Sequence, residues 1–268
     1  MDSYSDRLQA VIAQRGALCV GLDPHPALLA AWELPDSVAG VERLVRTTVE
    51  ALGDQVAAFK PQAAFFEVWG SAGLQVLETV IGEAQAAGAL VIVDAKRGDI
   101  GSTMTAYARA YLGDGPLAGD AVTLSPYLGF GSLEPAFAAA EAHGRGVYVL
   151  TRTSNPEGGT VQLATDPSGQ TVAQTMIDQA RQRNLMTGLD AIGLVIGGTH
   201  ESLGVDLTGF TGSVLIPGIG AQGGTMAGAR QLMTGASVTA LPTVSRSVLA
   251  AGPSPARLRA TALDLLSQ

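Results

Sequence analysis

Short runs of apolar residues recur along the chain, and each ends in polar residues or in glycine and proline. Eight such runs are present, at 17–23, 56–62, 90–96, 121–127, 146–154, 191–198, 213–220 and 238–245. Most of the segments between them repeat apolar positions with the helical period, as Val41, Leu44 and Val45 do in one of them. Nearly continuous apolar strands are typical of a parallel sheet that is covered on its outer face. The pattern therefore predicts eight parallel strands alternating with helices.

A closed (β/α)8 barrel (TIM barrel) fits this α/β pattern best, because about 250 residues is typical of that fold and the chain has 268. The alternative is an open, doubly wound sheet, but the first strand is followed by GLDPHP (21–26) instead of a GxGxxG turn. No linker-like stretch divides the chain, so we expect one domain over 1–268. Residues 5–16 predict an extra N-terminal helix over the barrel floor, and 155–171 predict a long loop after the fifth strand.

Composition narrows the class of protein. The chain is 47% hydrophobic and 15% charged, with a net charge of −8, which indicates a large core and argues against nucleic acid as a partner. The single cysteine, Cys19, lies in an apolar run and is interpreted as a small core residue, which fits a reducing cytoplasm. No signal peptide is recognisable, and no apolar run reaches the ~18 residues of a membrane span. His25, His143 and His200 lack metal-ligand spacing, so we expect no metal site.

The lysines are the most informative charged residues. Lys60 and Lys96 are the only lysines among 16 basic residues, and each ends an apolar run. A chain that uses arginine wherever a generic positive charge is enough, yet keeps two lysines, indicates sites that need a compact ammonium able to release a proton. A guanidinium cannot do this at neutral pH.

The third apolar run ends in the sequence Asp94-Ala95-Lys96-Arg97-Gly98-Asp99, in which two carboxylates flank Lys96. Catalytic groups of such barrels gather at the C-terminal ends of the strands, and residues two apart share one face of a strand. The neighbouring carboxylates favour a charged Lys96, which predicts a proton donor and argues against a Schiff-base nucleophile. The alternative interpretation is a buried salt-bridge network without a chemical role.

A second site is predicted after the seventh and eighth strands, where barrels of this kind usually bind phosphate. In PGIGAQGG (217–224), glycines allow main-chain N–H groups to approach an anion, and Gln222 adds a side-chain donor. Arg246 follows the eighth strand, where its guanidinium can chelate phosphate oxygens. The alternative is a tight turn beside a surface arginine. We expect a substrate that carries a phosphate group.

Six motifs together resemble the orotidine 5′-phosphate decarboxylase family, and most of all its actinobacterial branch. They are GLDPHP (21–26), FKPQAAFFE (59–67), DAKRGDIGST (94–103), TRTSNPEG (151–158), PGIGAQGG (217–224) and SRSV (245–248). The resemblance implies decarboxylation of the nucleotide orotidine 5′-monophosphate (OMP) to UMP and CO2, the last step of de novo pyrimidine synthesis. It also implies that no metal and no organic cofactor takes part, and that two copies form a homodimer with active sites at the interface.

The resemblance carries catalytic roles to particular residues. It implies that Lys96 is the general acid that protonates the carbanion left at C6 of the pyrimidine, and that Asp94 lies near the departing carboxylate. Asp99, with Ile100 and Thr103, would reach into the neighbouring subunit's site. There Asp99 would complete an alternating chain of charges, Lys60–Asp94–Lys96–Asp99.

The resemblance also implies which residues bind the substrate. Asp23 and Lys60 would hold the ribose hydroxyls, and Ser154 would hydrogen-bond the pyrimidine. The phosphate would be gripped by Gln222 and Arg246, in a site completed by Pro217, Gly218 and Ser245. Ser245 departs from the family pattern, since many members have glycine there.

Two alternatives from other classes stay open at this point. Sister enzymes that act on sugar phosphates share the Asp-x-Lys-x-x-Asp motif but use Mg²⁺, normally with an added glutamate near the second strand. Here that strand ends in Lys60, and the nearest carboxylate is Glu67; sensitivity to a chelator distinguishes the two activities. The second alternative is a barrel that binds phosphate or a nucleotide, such as UMP, without turning it over.

Overall fold

Eight parallel strands close into a barrel in the order of the chain. The computed structural model describes residues 2–268, in which each strand pairs with its sequence neighbours and β8 closes on β1. The strands are β1 (Cys19–Leu22), β2 (Ala58–Pro61), β3 (Leu90–Arg97), β4 (Ala121–Leu124), β5 (Gly146–Arg152), β6 (Ile192–Ile196), β7 (Ser213–Ile219) and β8 (Thr239–Val244). Each overlaps its predicted segment, and the (β/α)8 barrel is confirmed.

Helices cover the outside of the barrel. They are α1 (Tyr4–Arg15), α2 (Pro26–Ala31), α3 (Val38–Leu52), α4 (Ala64–Glu67), α5 (Gly70–Ala86), α6 (Gly101–Leu112), α7 (Glu134–Ala142), α8 (Gly159–Gln162), α9 (Val172–Thr187), α10 (Met226–Leu232), α11 (Arg246–Leu249) and α12 (Pro255–Ser267). Residues 197–212, between β6 and β7, form no helix, so one predicted strand–helix alternation is replaced by an irregular connection. The main core fills the layer between helices and strands.

Side-chain caps set several helix boundaries. The Ser3 hydroxyl accepts a hydrogen bond from the main-chain N–H of Asp6, whose carboxylate accepts one from the N–H of Ser3, which is a capping box at the start of α1. The hydroxyls of Ser37 and Thr171 accept from the main-chain N–H groups of Gly40 and Gln174 and so cap α3 and α9, without the reciprocal bond. Each cap satisfies a main-chain N–H group that the first helical turn leaves without an internal partner.

The segment 155–171 is less irregular than predicted. It lies between β5 and α9, as expected, but contains a 3₁₀ turn (Pro156–Gly158) and the short helix α8. A bridge between Thr165 and Thr171 then closes a small loop. The connection after the fifth strand is thus present as predicted, and Gln162 ties α8 back to the strand end: its carbonyl oxygen accepts from the N–H of Thr153 at 3.0 Å, and its amide nitrogen donates to the hydroxyl of Thr153 at 2.7 Å.

The N-terminal helix closes the barrel floor, as predicted. Tyr4 and Leu8 of α1 are buried against the side chains that fill the barrel interior, among them Cys19 and Tyr148. The hydroxyl groups of Tyr4 and Tyr148 lie 2.9 Å apart, and Ser213 donates to the Tyr148 hydroxyl at 2.8 Å. Burial raises the pKa of the Cys19 thiol to about 12, so Cys19 is the inert core residue that its position predicted.

Truncating Leu8 tests the contribution of this floor. We expect Leu8→Ala to lower the free energy of unfolding by about 2–4 kcal/mol, because the substitution removes a fully buried side chain and leaves a cavity. Urea unfolding measures this change. Gln9→Ala, at the neighbouring exposed position of α1, is the matched control and should stay within about 0.5 kcal/mol of the wild type. Equal stability of the two variants would contradict a packed floor.

Candidate active site

A cavity of about 460 Å³ opens at the C-terminal ends of the strands. It brings together side chains from most of the strands, including ten of the thirteen residues predicted from the sequence: Asp23, Lys60, Asp94, Lys96, Ser154, Pro217, Gly218, Gln222, Ser245 and Arg246. A larger groove of about 680 Å³ lies on the helical surface, where Arg46 is already paired with Glu42 and Glu83. The chemistry predicted from the sequence converges on the smaller cavity.

The two lysines bind opposite oxygens of one carboxylate. Lys60 Nζ lies 2.7 Å from Asp94 Oδ2, and Lys96 Nζ lies 2.6 Å from Asp94 Oδ1. The side chains of Lys60 and Asp94 are only 7% and 9% exposed, whereas that of Lys96 is 43% exposed. The arrangement is therefore an ion-paired row in which Lys60 and Asp94 are buried and Lys96 is open to the cavity.

The charges of this row stabilise one another. Burial alone would raise the pKa of Asp94, but the ammonium groups of Lys60 and Lys96 outweigh it and hold the pKa of this carboxyl well below its usual range. Burial likewise disfavours a charged Lys60, yet Asp94 and Asp23 raise its pKa above the ordinary lysine value. Asp94 is thus ionised, and Lys60 protonated, across the neutral pH range.

Lys96 is placed by an irregularity at the end of β3. The β3–β4 register pairs Val93 with Val122 but Arg97 with Leu124, so β3 carries two more residues than β4 over this stretch. Within it, Lys96 adopts a positive φ of 47°, a conformation that costs a non-glycine residue about 1–3 kcal/mol. The regular strand face assumed from the Asp94–Lys96 spacing is therefore replaced by a bulge, which still directs Lys96 onto Asp94.

Two neutral side chains surround the charged row. The Thr123 hydroxyl accepts from the main-chain N–H of Lys96 at 3.0 Å and donates to Asp94 Oδ1 at 2.8 Å. With the Gln62 amide turned so that its nitrogen faces Asp94, that nitrogen donates to Asp94 Oδ2 at 2.8 Å, and the Gln62 oxygen accepts from Lys96 Nζ at 3.2 Å. Both carboxylate oxygens of Asp94 thus receive neutral as well as charged hydrogen-bond donors.

Next to the charged row, β1 and β8 approach each other closely. A Cβ at Gly21 would lie 2.7 Å from the Cβ of Ser245, so glycine is needed there. Within residues 2–268, Asp23 Oδ1 and the Ser245 hydroxyl are buried and have no hydrogen-bond partner. These two polar atoms at the cavity wall are free to bind polar groups of a ligand. Ser245, which departs from the glycine of many family members, has a negative φ of −119° and so does not need the left-handed conformation that favours glycine.

The glycine-rich loop after β7 forms the remaining wall. Gly218 and Gly220 have positive φ angles of 97° and 80°, which glycine adopts without strain. Gln222 lines the cavity, and its side-chain oxygen accepts from the Ser154 hydroxyl at 3.1 Å. Arg246, the first residue of α11, lines the same end of the cavity. The loops after β5, β7 and β8 thus meet where the sequence predicts a phosphate site.

Three predicted site residues lie outside this cavity. The Asp99 carboxylate accepts from the N–H of Ile100 at 2.7 Å, and within residues 2–268 it forms no ion pair with either lysine of the same chain. Ile100 is 62% exposed and Thr103 is also exposed. A single chain therefore contains the Lys60–Asp94–Lys96 part of the predicted row, and Asp99, Ile100 and Thr103 do not line its cavity.

Sequence reasoning missed Thr123 and Gln62. Thr123 of β4 lines the cavity, whereas Ser125, the first polar residue after that strand, bonds through its main-chain N–H to the carbonyl of Arg97. The signal was present in the strict alternation of strand faces, since Thr123 is the only hydroxyl on β4. Gln62 belongs to the motif FKPQAAFFE (59–67), but nothing in the sequence shows that its amide reaches Asp94.

In the described part of the chain, no three or more histidine, cysteine, aspartate or glutamate side chains are grouped so that they could hold a metal ion. No helix among residues 2–268 combines the length and the apolar character needed to cross a membrane.

The fold and the site define the class of the protein: it is a (β/α)8 barrel with an Asp-x-Lys-x-x-Asp site at the C-terminal ends of its strands. The model of the orotidine 5′-phosphate decarboxylase / HUMPS family matches residues 16–261, and the chain belongs to that family. The orotidine 5′-phosphate decarboxylase of Salinispora arenicola is 54% identical over 269 aligned residues, covering 100% of this chain and 97% of the relative. That of Streptomyces coelicolor is 51% identical, covering 98% and 95%.

Solved structures agree with this family. A crystal structure from Streptomyces avermitilis superposes with a TM-score of 0.95 at 50% identity, covering 100% of this chain and 94% of that one. The structure of Leishmania donovani OMP decarboxylase superposes with a TM-score of 0.77 at 30% identity, covering 98% and 95%. The predicted resemblance, including its actinobacterial branch, is confirmed.

The ion-paired row makes stability depend on pH in a defined direction. Because the folded-state pKa of Asp94 lies below its unfolded value of about 3.9, its stabilising contribution is complete above about pH 5 and is lost as the pH falls. We expect Asp94→Asn to lower the free energy of unfolding by about 3–5 kcal/mol at pH 7, since Lys60 stays buried without its partner. The difference from wild type should shrink between pH 5 and pH 3.

Urea unfolding at a series of pH values measures this dependence. Asp36→Asn is the matched control, because Asp36 is an exposed carboxylate in the segment before α3, and its difference from wild type should stay small throughout. A wild-type advantage over Asp94→Asn that is the same at pH 3 as at pH 7 would contradict the assignment of an ionised, ion-paired Asp94.

Proposed function

We propose that the protein catalyses the decarboxylation of OMP to UMP and CO2, without a metal or an organic cofactor. The observation that carries the proposal is the row Lys60–Asp94–Lys96, in which the only two lysines of the chain share one carboxylate at the base of a cavity. The names of the curated relatives, such as that of Salinispora arenicola, support the same activity. The reaction would be the last step of pyrimidine biosynthesis.

Lys96 is the proposed general acid. Loss of CO2 leaves the electron pair of the broken bond on C6 of the pyrimidine, and a proton from the Lys96 ammonium converts that carbanion to the C6–H of UMP. The 43% exposure of the Lys96 side chain supports this role, because the side chain of Lys60 is 7% exposed and is enclosed by the barrel. Ammonium and carboxylate are held in place before the substrate arrives, so little reorganisation is needed when the carbanion forms.

The proposed binding roles follow the walls of the cavity. Asp23, whose buried Oδ1 has no protein partner in the described chain, and Lys60 would hold the ribose hydroxyls. Ser154 would bind the pyrimidine, and Gln222 and Arg246 would bind the phosphate. Pro217, Gly218 and Ser245 line the same wall and would bring main-chain and hydroxyl donors to the nucleotide.

The sugar-phosphate alternative, which needs a carboxylate near β2 for Mg²⁺, is less well supported. Glu67 is the carboxylate in that position, but its side chain pairs with Arg97 and does not line the cavity. Its negative charge is therefore directed away from the charged row.

A homodimer is proposed from the residues that face outward. Besides Ile100, three other large apolar side chains at this end of the barrel are exposed. Val68 follows β2 and is 73% exposed, and Tyr127 and Leu128 follow β4 and are 78% and 53% exposed. Apolar side chains clustered at adjacent strand ends are typical of a surface that another protein covers. A second copy seated there would let Asp99 and Thr103 of each subunit reach the other's cavity.

Replacing Lys96 tests the mechanism. We expect Lys96→Ala to lower kcat by at least ~10³-fold, because both the proton donor and the cation beside the carbanion are removed. Lys96→Arg keeps the charge but cannot release a proton at neutral pH, and it should be nearly as inactive. The decline in OMP absorbance measures turnover, and UMP titration shows whether the cavity is intact. Undiminished activity of Lys96→Ala would refute the assignment.

Mixing two inactive variants tests the shared site. Asp99→Ala and Lys96→Ala subunits that exchange at equal concentration should form heterodimers with one native site, restoring about a quarter of the wild-type activity. The activity of the mixture is compared with that of each variant incubated alone under the same conditions. A mixture no more active than the average of the two would contradict a site built from two subunits.

A further inference from the structure

We propose that Thr123 is a positioning residue for the reaction, which holds both the strained main chain of Lys96 and the carboxylate that Lys96 pairs with. The expected effect on catalysis rests on the proposed function, whereas the effect on the conformation of Lys96 can be tested independently of that function. Thr123 lies on β4 near the carboxyl end of the strand and is 1% exposed. It contacts the charged row from the neighbouring strand.

The direction of both Thr123 hydrogen bonds follows from the chemistry of the groups. The main-chain N–H of Lys96 can only donate, so the Thr123 oxygen accepts it at 3.0 Å. The hydroxyl hydrogen is then free to point at Asp94 Oδ1, 2.8 Å away, and an ionised carboxylate can only accept. Thr123 therefore has one arrangement in which both bonds form, with its hydroxyl bridging Lys96 and Asp94.

This bridge lies where the pairing of β3 with β4 is interrupted. Over the bulge, Val93 pairs with Val122 and the register resumes only at Arg97, so the N–H of Lys96 is supplied with an acceptor by a side chain in place of the β4 main chain. The same residue has the positive φ of 47°. A strained conformation persists only when its surroundings hold it, and the Thr123 hydroxyl binds the main-chain N–H of the strained residue directly.

Asp94 Oδ1 accepts from both the Thr123 hydroxyl and Lys96 Nζ, at 2.8 and 2.6 Å. Fixing this oxygen fixes the direction from which the Lys96 ammonium approaches it. Thr123 thus acts on the ammonium through both of its attachments, the main chain at one end and the ion pair at the other. A displacement of about 1 Å at a reacting group can cost on the order of 100-fold in rate.

Thr123→Val removes the hydroxyl with little change in volume, and Thr123→Ser keeps it. We expect kcat for OMP to fall roughly 10- to 100-fold in Thr123→Val, with KM and the affinity for UMP changed less than about threefold, and activity close to wild type in Thr123→Ser. Thr151→Val is the matched control, since Thr151 is a buried threonine of β5 whose hydroxyl bonds to its own strand at Val149. It should leave kcat within about twofold of wild type.

Crystal structures of the two Thr123 variants make the test independent of turnover. In Thr123→Val, Lys96 should lose its positive φ or its contact with Asp94, and in Thr123→Ser both should persist. The inference is overturned if Lys96 keeps both features in Thr123→Val, if Val and Ser variants have equal kcat, or if UMP affinity falls as much as kcat. An inactive wild-type protein would instead overturn the proposed function, and the structures would still decide the role of Thr123.

Discussion

One carboxylate shared by two ammonium groups is the constraint on which the site depends. A carboxylate as enclosed as Asp94 is unfavourable unless it is compensated, and here both of its oxygens are ion-paired. Removing Asp94 would leave both ammonium groups without their carboxylate, whereas removing either lysine would leave one oxygen of Asp94 without its ion pair. Only 15% of the residues of the chain are charged. Three charges in contact are therefore a feature of the site and do not follow from the overall composition.

The barrel makes this arrangement feasible by bringing distant parts of the chain to one rim. Lys60 ends β2, Asp94 and Lys96 end β3, and Thr123 is supplied by β4, so three neighbouring strands build the row. The packed floor formed by α1 and the interior side chains leaves the opposite end open. The bulge of β3 and the positive φ of Lys96 lie at this open end, where they place the lysine side chain.

Some site residues could be predicted from the sequence because their type or spacing is unusual, and others could not. Lys96 and Asp94 were recognisable because their types and spacing are unusual in an arginine-rich chain, and the glycines of 217–224 because glycine marks backbone that approaches other groups closely. Thr123 and Gln62 carry no such mark. Their importance depends on distances of about 3 Å to residues 27 to 34 positions away, and a threonine in a buried strand is otherwise an ordinary strand residue.

The sequence by itself determined the number and order of the strands, the closing helix at the N-terminus and the family of the chain, because each depends on local periodicity or on short contiguous motifs. Tertiary structure decided how those motifs meet: that β3 bulges and Lys96 takes a positive φ, that α8 interrupts the loop after β5, and that Asp99 does not line the cavity of its own chain. These features arise from register between strands and from contacts across the barrel. Such contacts depend on the closed geometry of all eight strands, and local periodicity contains no information about them.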